Sequence, residues 1–190
     1  TPIISPTEAL PDLSDDTPVM SEEAPADEAT EPVDAPAEPE PAPAEPAVTV
    51  SAPVYVRPTS GAVITPFSGD ELLFQPTFGD WRVHSGTDFG AEAGETVLAL
   101  TDGTVQEVFE DGLYGTCVTL SHDADLITTY RGLTDVRVVD GQAVTAGEAL
   151  GACAESIDAE AALDPHVHVE ASRAGTVIDV LELLGESGTE

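Results

Sequence analysis

The sequence predicts a mostly β domain, an antiparallel sheet carrying a duplicated β unit, preceded by a disordered tail rich in Pro, Ala and Glu. Three observations predict it. Residues 1–53 hold 12 of the 16 prolines and 13 of the 37 acidic residues, with no basic residue and no aromatic. After Tyr55 the chain changes to short apolar runs punctuated by Gly and Asp-Gly, spaced roughly every 8–12 residues, which is the rhythm of strands and turns. Two segments also read alike, Ala93-Gly94-Glu95-Thr96-Val97-Leu98-Ala99 and Asp140-Gly141-Gln142-Ala143-Val144-Thr145-Ala146-Gly147-Glu148, each with a Gly turn before a Val-containing strand.

Taken in order, residues 1–53 form a Pro-Ala-Glu linker with too few large apolar side chains to offset the entropy of ordering. Self-repelling charge and polyproline bias extend it, and at about 3.1 Å per residue it reaches on the order of 100 Å or more. Nothing in the domain should depend on it. Residues 54–190 form the domain, with strands expected at Thr96–Thr101, Thr104–Glu110, Thr116–His122, Leu126–Arg131, Gln142–Val144, Val167–Ala171 and Val177–Ile178. Helix is nearly absent, limited to short turns at Ser156–Leu163 and Val180–Leu184.

Charge excludes one class of partner. The 190-residue chain carries a net charge of −32, and all five basic residues are arginine. Within residues 54–190, five basic residues face 24 acidic ones, so a nucleic acid would be repelled. No run of about 18 apolar residues is present, so a membrane would be reached only through an N-terminal segment absent from this chain. The start at Thr1 rather than Met is what removal of such a signal or anchor would leave. Cys117 and Cys153 are too few for a disulfide framework and read as small buried residues. The Gly-x-x-Val repeat also occurs in biotinyl and lipoyl carriers, but those are modified on lysine and this chain has none.

The histidines carry the chemistry. A lone His is more often a structural residue than a ligand, but His84-Ser85-Gly86-Thr87-Asp88 pairs an imidazole with a carboxylate. His166-Val167-His168 lies between Pro165 and a strand-like Val169. Alternate strand residues share a face, so His166 and His168 point the same way and Glu170 continues the row. Two His and one Asp make a reasonable three-ligand zinc set that leaves a fourth position for water.

These motifs resemble peptidase family M23, the LytM-like zinc endopeptidases that cut peptidoglycan cross-bridges. The H-x-x-x-D motif matches His84 to Asp88 and the H-x-H motif matches His166 to His168. Between them Gly115-Thr116-Cys117-Val118-Thr119-Leu120-Ser121-His122, Thr129-Tyr130-Arg131-Gly132-Leu133 and the stretch from Val138 to Gly151 follow the family, over about residues 60–184. Phe67-Ser68-Gly69-Asp70-Glu71-Leu72 and Thr77-Phe78-Gly79-Asp80-Trp81-Arg82-Val83-His84 are most like the stage II sporulation protein Q group. There a LytM-like domain stands outside a membrane on an N-terminal anchor and binds a partner across the space between two cells.

The resemblance implies Zn²⁺ on His84, Asp88 and His168, with His166 as a catalytic histidine. It also marks a departure. Where the family reads Y-x-H-L, this chain reads Tyr130-Arg131-Gly132-Leu133, so glycine replaces the second catalytic imidazole. Metal binding can survive that loss, because the missing group is not a ligand; proton transfer, where a positioned acid or base contributes about 10²–10⁴-fold, and oxyanion stabilisation, where one donor contributes roughly 10²–10³-fold, need not. Two functions follow. One is an extracytoplasmic, weakened peptidoglycan metalloendopeptidase; the other is an inactive adhesion or scaffold module that binds a partner envelope protein during sporulation. His122 is expected to be structural, Trp81 and Tyr130 to be core or groove wall, and Arg82 to pair with an acidic neighbour.

Overall fold

The computed structural model describes residues 52–186. The linker expected over 1–53 lies, but for its last two residues, outside that range. The described chain is mostly antiparallel β structure, as the turn spacing predicts. One sheet runs in the order β1 (Val63–Thr65), β4 (Thr87–Gly90), β11 (His166–Arg173), β8 (Leu126–Thr134), β7 (Gly115–Ser121), β6 (Gly103–Asp111) and β9 (Ala143–Val144). Off this path, β10 (Ala149–Cys153) pairs with β5 (Thr96–Leu98) and β8, while β12 (Thr176–Ile178) pairs with β11. A separate hairpin joins β2 (Leu73–Gln75) to β3 (Asp80–Arg82). The one α-helix among the described residues, α1, is a single turn at Val180–Leu183 capped by the Asp179 side chain, which accepts from the Leu181 N–H. No helix among them is long and apolar enough to cross a membrane.

The strands read from β-branched runs are present, with shifted ends. The β8 strand extends past Arg131 to Thr134, where it pairs with β7 and β10, and β11 begins at His166, where it pairs with Gly90 of β4. The run Thr96–Thr101 stops as a strand at Leu98, although Ala99 and Leu100 are fully buried beyond it. Strands β1 to β4 and β10 were not expected. The sequence of β10, Ala-Leu-Gly-Ala-Cys, carries little β propensity and is held in place by partners on both sides. Of the helical turn expected at Ser156–Leu163, only a 3₁₀ turn at Asp158–Glu160 forms. The two similar segments do make similar turns, with Gly94 at φ +85° and Gly141 at φ +79°, each just before a short strand.

The core gathers Phe89, Val97, Leu100, Leu120, Val167 and Val169, all without exposed surface. Tyr130 is also fully buried, and its hydroxyl accepts the Leu100 N–H at 2.7 Å, so its polar end is satisfied inside the core. Cys117 and Cys153 are buried free thiols. Burial raises both thiol pKa values, that of Cys153 to about 11. At about pH 8 both therefore keep their protons, and neither is expected to react with Ellman's reagent until denaturant exposes them. Rapid labelling of the native protein would contradict this placement.

Candidate metal centre

The centre begins with strand register. Strands β4 and β11 are antiparallel and place Asp88 directly opposite His168. Along β11, Val167, Val169 and Ala171 enter the core. That fixes His166, His168 and Glu170 on the other face, as the alternation predicts.

His84 comes from the loop between β3 and β4. Its backbone is clamped to Ser68, since the His84 N–H donates to Ser68 Oγ at 2.8 Å and the Ser68 N–H donates to the His84 carbonyl at 3.1 Å. His84 Nδ1 donates to the Pro66 carbonyl at 2.9 Å, which leaves Nε2 with a free lone pair. His168 Nε2 faces Glu170 Oε1 at 3.4 Å, and a proton placed there would leave Nδ1 bare for a metal. His84 Nε2 and His168 Nδ1 lie 3.2 Å apart, and Asp88 Oδ1 is 3.2 Å from the first and 2.8 Å from the second.

Two lone pairs and an anionic oxygen converge with no proton between them in those tautomers, an arrangement that a cation stabilises. Asp88 Oδ2 is buried without a partner, and Asp88 as a whole has no exposed surface. Without a metal, protons answer the same negative potential. Burial works against charge on His84, but Asp88 and Glu160 outweigh it and raise its pKa to about 10. Burial likewise opposes charge on Asp88, while His168 and His84 hold it well below the usual carboxylate range. Glu170 is held down to about 2, chiefly by His168, against the effect of burial.

The geometry therefore brings together His84, Asp88 and His168, the three expected ligands. It adds a fourth group that the sequence reading missed. Donor atoms of His84, Asp88, Glu160 and His168 all lie within 4.8 Å of one another, and Glu160 is only 2% exposed. Glu160 belongs to no spaced motif; its one sequence signal is a lone acid in the apolar run Ala159-Glu160-Ala161-Ala162-Leu163. His166 stands outside this set. Its Nδ1 donates to the Asp164 carbonyl at 2.7 Å, and its Nε2 lies 3.1 Å from Glu160 Oε2.

Two glycines shape the centre. A Cβ at Gly86 would stand 2.6 Å from His168 Nε2 and 2.7 Å from the Val169 carbonyl, so β11 approaches this loop only because the position is bare. Gly132 has φ +79°, and a Cβ there would meet the Ile157 side chain at 2.5 Å. It sits at the β7–β8 bulge, where the register passes from Thr116↔Leu133 to Cys117↔Arg131. Buried Ile157 therefore takes the space that a Cβ at 132 would need. Restoring a histidine at 132 is not a simple repair.

Arg131 turns toward the metal side instead. Its guanidinium lies 4.9 Å from the Tyr114 ring centroid and 3.3 Å from Glu170 Oε2, and Tyr114 in turn lies 5.3 Å from the His168 ring. His122 is structural, bonded to the Asp102 carbonyl at 2.7 Å and Thr128 Oγ1 at 2.8 Å. Arg82 pairs with Asp80 at 2.6 Å and lies over Phe78. Trp81 is neither core nor groove wall. It is 66% exposed on the β2–β3 hairpin, edge-on to Phe74. Beside the centre lies a groove of about 120 Å³, walled by Phe74, Phe78, Leu113 and Tyr114, which reaches His84 and Glu160.

The signature of Peptidase family M23 matches residues 82–180, just over half of the chain. The chain belongs to peptidase family M23. An uncharacterized metalloprotease of Haemophilus influenzae is 33% identical over 120 residues, 63% of this chain and 24% of that protein. The DD-carboxypeptidase/endopeptidase Mpg of Neisseria meningitidis is 30% identical over 126 residues, 66% of this chain and 26% of its own length. This M23 chain thus spans about a quarter of the curated relatives it matches. Among solved structures, a zinc-containing peptidase from Vibrio cholerae has TM-score 0.56 and 25% identity, over 66% of this chain and 39% of that one. The SpoIIQ–SpoIIIAH pore-forming complex contains a chain with TM-score 0.60 and 19% identity, covering 73% of this chain and 100% of that one, a likeness of fold.

Proposed function

We propose that this M23 domain is an extracytoplasmic zinc-binding domain of the cell wall that acts, slowly, as a peptidoglycan metalloendopeptidase. The observation that carries the reading is the convergence of His84 Nε2, His168 Nδ1 and Asp88 Oδ1, with Asp88 Oδ2 buried and unpartnered. Two imidazoles and a carboxylate suit zinc, and a similar structure is of a zinc-containing peptidase. Bound zinc supplies Lewis acidity toward a peptide carbonyl and a water molecule. The chain supplies the rest. The Pro66 carbonyl and Glu170 fix the tautomers of the two ligand imidazoles. His166, its Nδ1 tied to Asp164, is the remaining imidazole able to move a proton at Nε2. The groove walled by Phe74, Phe78 and Leu113 receives the peptide and keeps water from its flank.

A second reading, a scaffold that binds a partner envelope protein, is favoured by Gly132, because the second imidazole is absent there and Ile157 takes the space its Cβ would need. One experiment separates the two: zinc content by elemental analysis, with hydrolysis of purified peptidoglycan by the wild type and His84→Ala. The expected result is about one equivalent of zinc and turnover at least roughly 10²-fold below that of a relative with both histidines, both lost in His84→Ala. Less than about a tenth of an equivalent after zinc dialysis sinks the metal reading. Full zinc without turnover, together with tight binding to an envelope protein, hands the function to the scaffold.

A further inference from the structure

Glu160 reaches the centre by a route that begins at Gly132. The bare position at 132 admits Ile157, whose side chain lies where a Cβ would be. Ile157 is 2% exposed and opens the 3₁₀ turn Asp158–Glu160, its carbonyl accepting the Glu160 N–H at 2.9 Å. The turn is tied on two further sides: the Ala159 N–H donates to the Leu113 carbonyl at 3.0 Å, and the Ala162 N–H donates to Thr77 Oγ1 at 3.1 Å. At its end, Glu160 presents Oε1 3.4 Å from His84 Nε2 and Oε2 3.7 Å from His168 Nδ1. His166 Nε2 stands 3.1 Å from the same Oε2 and fixes the rotation of the carboxylate.

We propose that Glu160 is the fourth protein ligand of the metal, positioned by His166, and that it closes the centre by taking the coordination place a metallopeptidase keeps for water. This rests on the metal reading above, and it makes the slow hydrolysis proposed there depend on Glu160 leaving the metal to admit water. Structural zinc sites have four protein donors, whereas catalytic ones have three and an open position. Here the four groups meet within 4.8 Å and all four residues are buried. Glu160 also lines the groove, so a peptide entering it meets this carboxylate before Asp88 or His168, neither of which lines it. Closure and the loss of the second imidazole are one rearrangement, since Ile157 anchors the turn that delivers Glu160.

The test uses the Co²⁺-loaded protein and acetohydroxamate, a small bidentate metal ligand, with the visible absorption of cobalt as readout. The wild-type spectrum is expected to stay unchanged on addition of acetohydroxamate. In Glu160→Gln the spectrum is expected to shift with it, and metal affinity by chelator competition to fall at least about tenfold. Glu160→Asp, one methylene shorter, provides the same comparison if the glutamine variant does not fold. A wild-type spectrum that shifts with acetohydroxamate as strongly as the variants overturns closure and leaves the metal reading standing. Failure of the wild type to bind cobalt or zinc at all removes both.

Discussion

Asp88→Asn is expected to leave purification with less than about a tenth of an equivalent of zinc, from a wild type carrying about one. The substitution keeps the volume of a fully buried side chain, so β4 and its pairing to β11 persist while the anionic charge between the two imidazoles disappears. A ligand that binds only the folded state stabilises by about 4 kcal/mol at a concentration near 1,000 times its dissociation constant. Chelator should therefore lower the Tm of the wild type and leave that of Asp88→Asn unmoved. Zinc retention equal to the wild type would show that Asp88 is not a ligand.

Gly132→His is expected to destabilise the domain rather than restore a peptidase. A non-glycine residue forced to φ +79° costs roughly 1–2 kcal/mol, and overpacking against Ile157 adds about 1–3 kcal/mol. Together these lower Tm on the order of 10 °C, measurable by calorimetry. The double variant Gly132→His/Ile157→Ala should recover part of that loss, because it removes the atoms that a new Cβ would meet. A single variant as stable as the wild type and more active on peptidoglycan would overturn this account of position 132.

How much of this was legible depends on where each residue's position is decided. Asp88, His166 and His168 are placed by strand alternation and register, and alternation is written in the sequence as Val167, Val169 and Ala171 between polar neighbours. The role of His84 was legible from its spacing to Asp88, but the Ser68 and Pro66 contacts that aim it were not. Glu160 escaped because its position is set by Ile157, Leu113 and Thr77, three residues from three separate stretches of chain. The strand β10 was hidden by its small residues, and Trp81 was misplaced because aromatic character suggests burial while a two-stranded hairpin has only one covered side. The departure at Gly132 was visible as a missing imidazole; that its space is taken required the fold.

The double clamp between Ser68 and His84 has a mechanical meaning. The β2–β3 hairpin pairs with no other strand among the described residues, and an isolated two-stranded hairpin is marginal by itself. Its footing is the Ser68–Glu71 turn, in which Ser68 Oγ donates to the Glu71 carbonyl, and that same hydroxyl accepts the His84 N–H. The hairpin that displays Trp81 and Phe74 to solvent and the loop that aims an imidazole at the cation therefore share one hinge pin. Removing that one hydroxyl, as in Ser68→Ala, would take away both the bond that closes the turn under the hairpin and the bond that holds the His84 backbone.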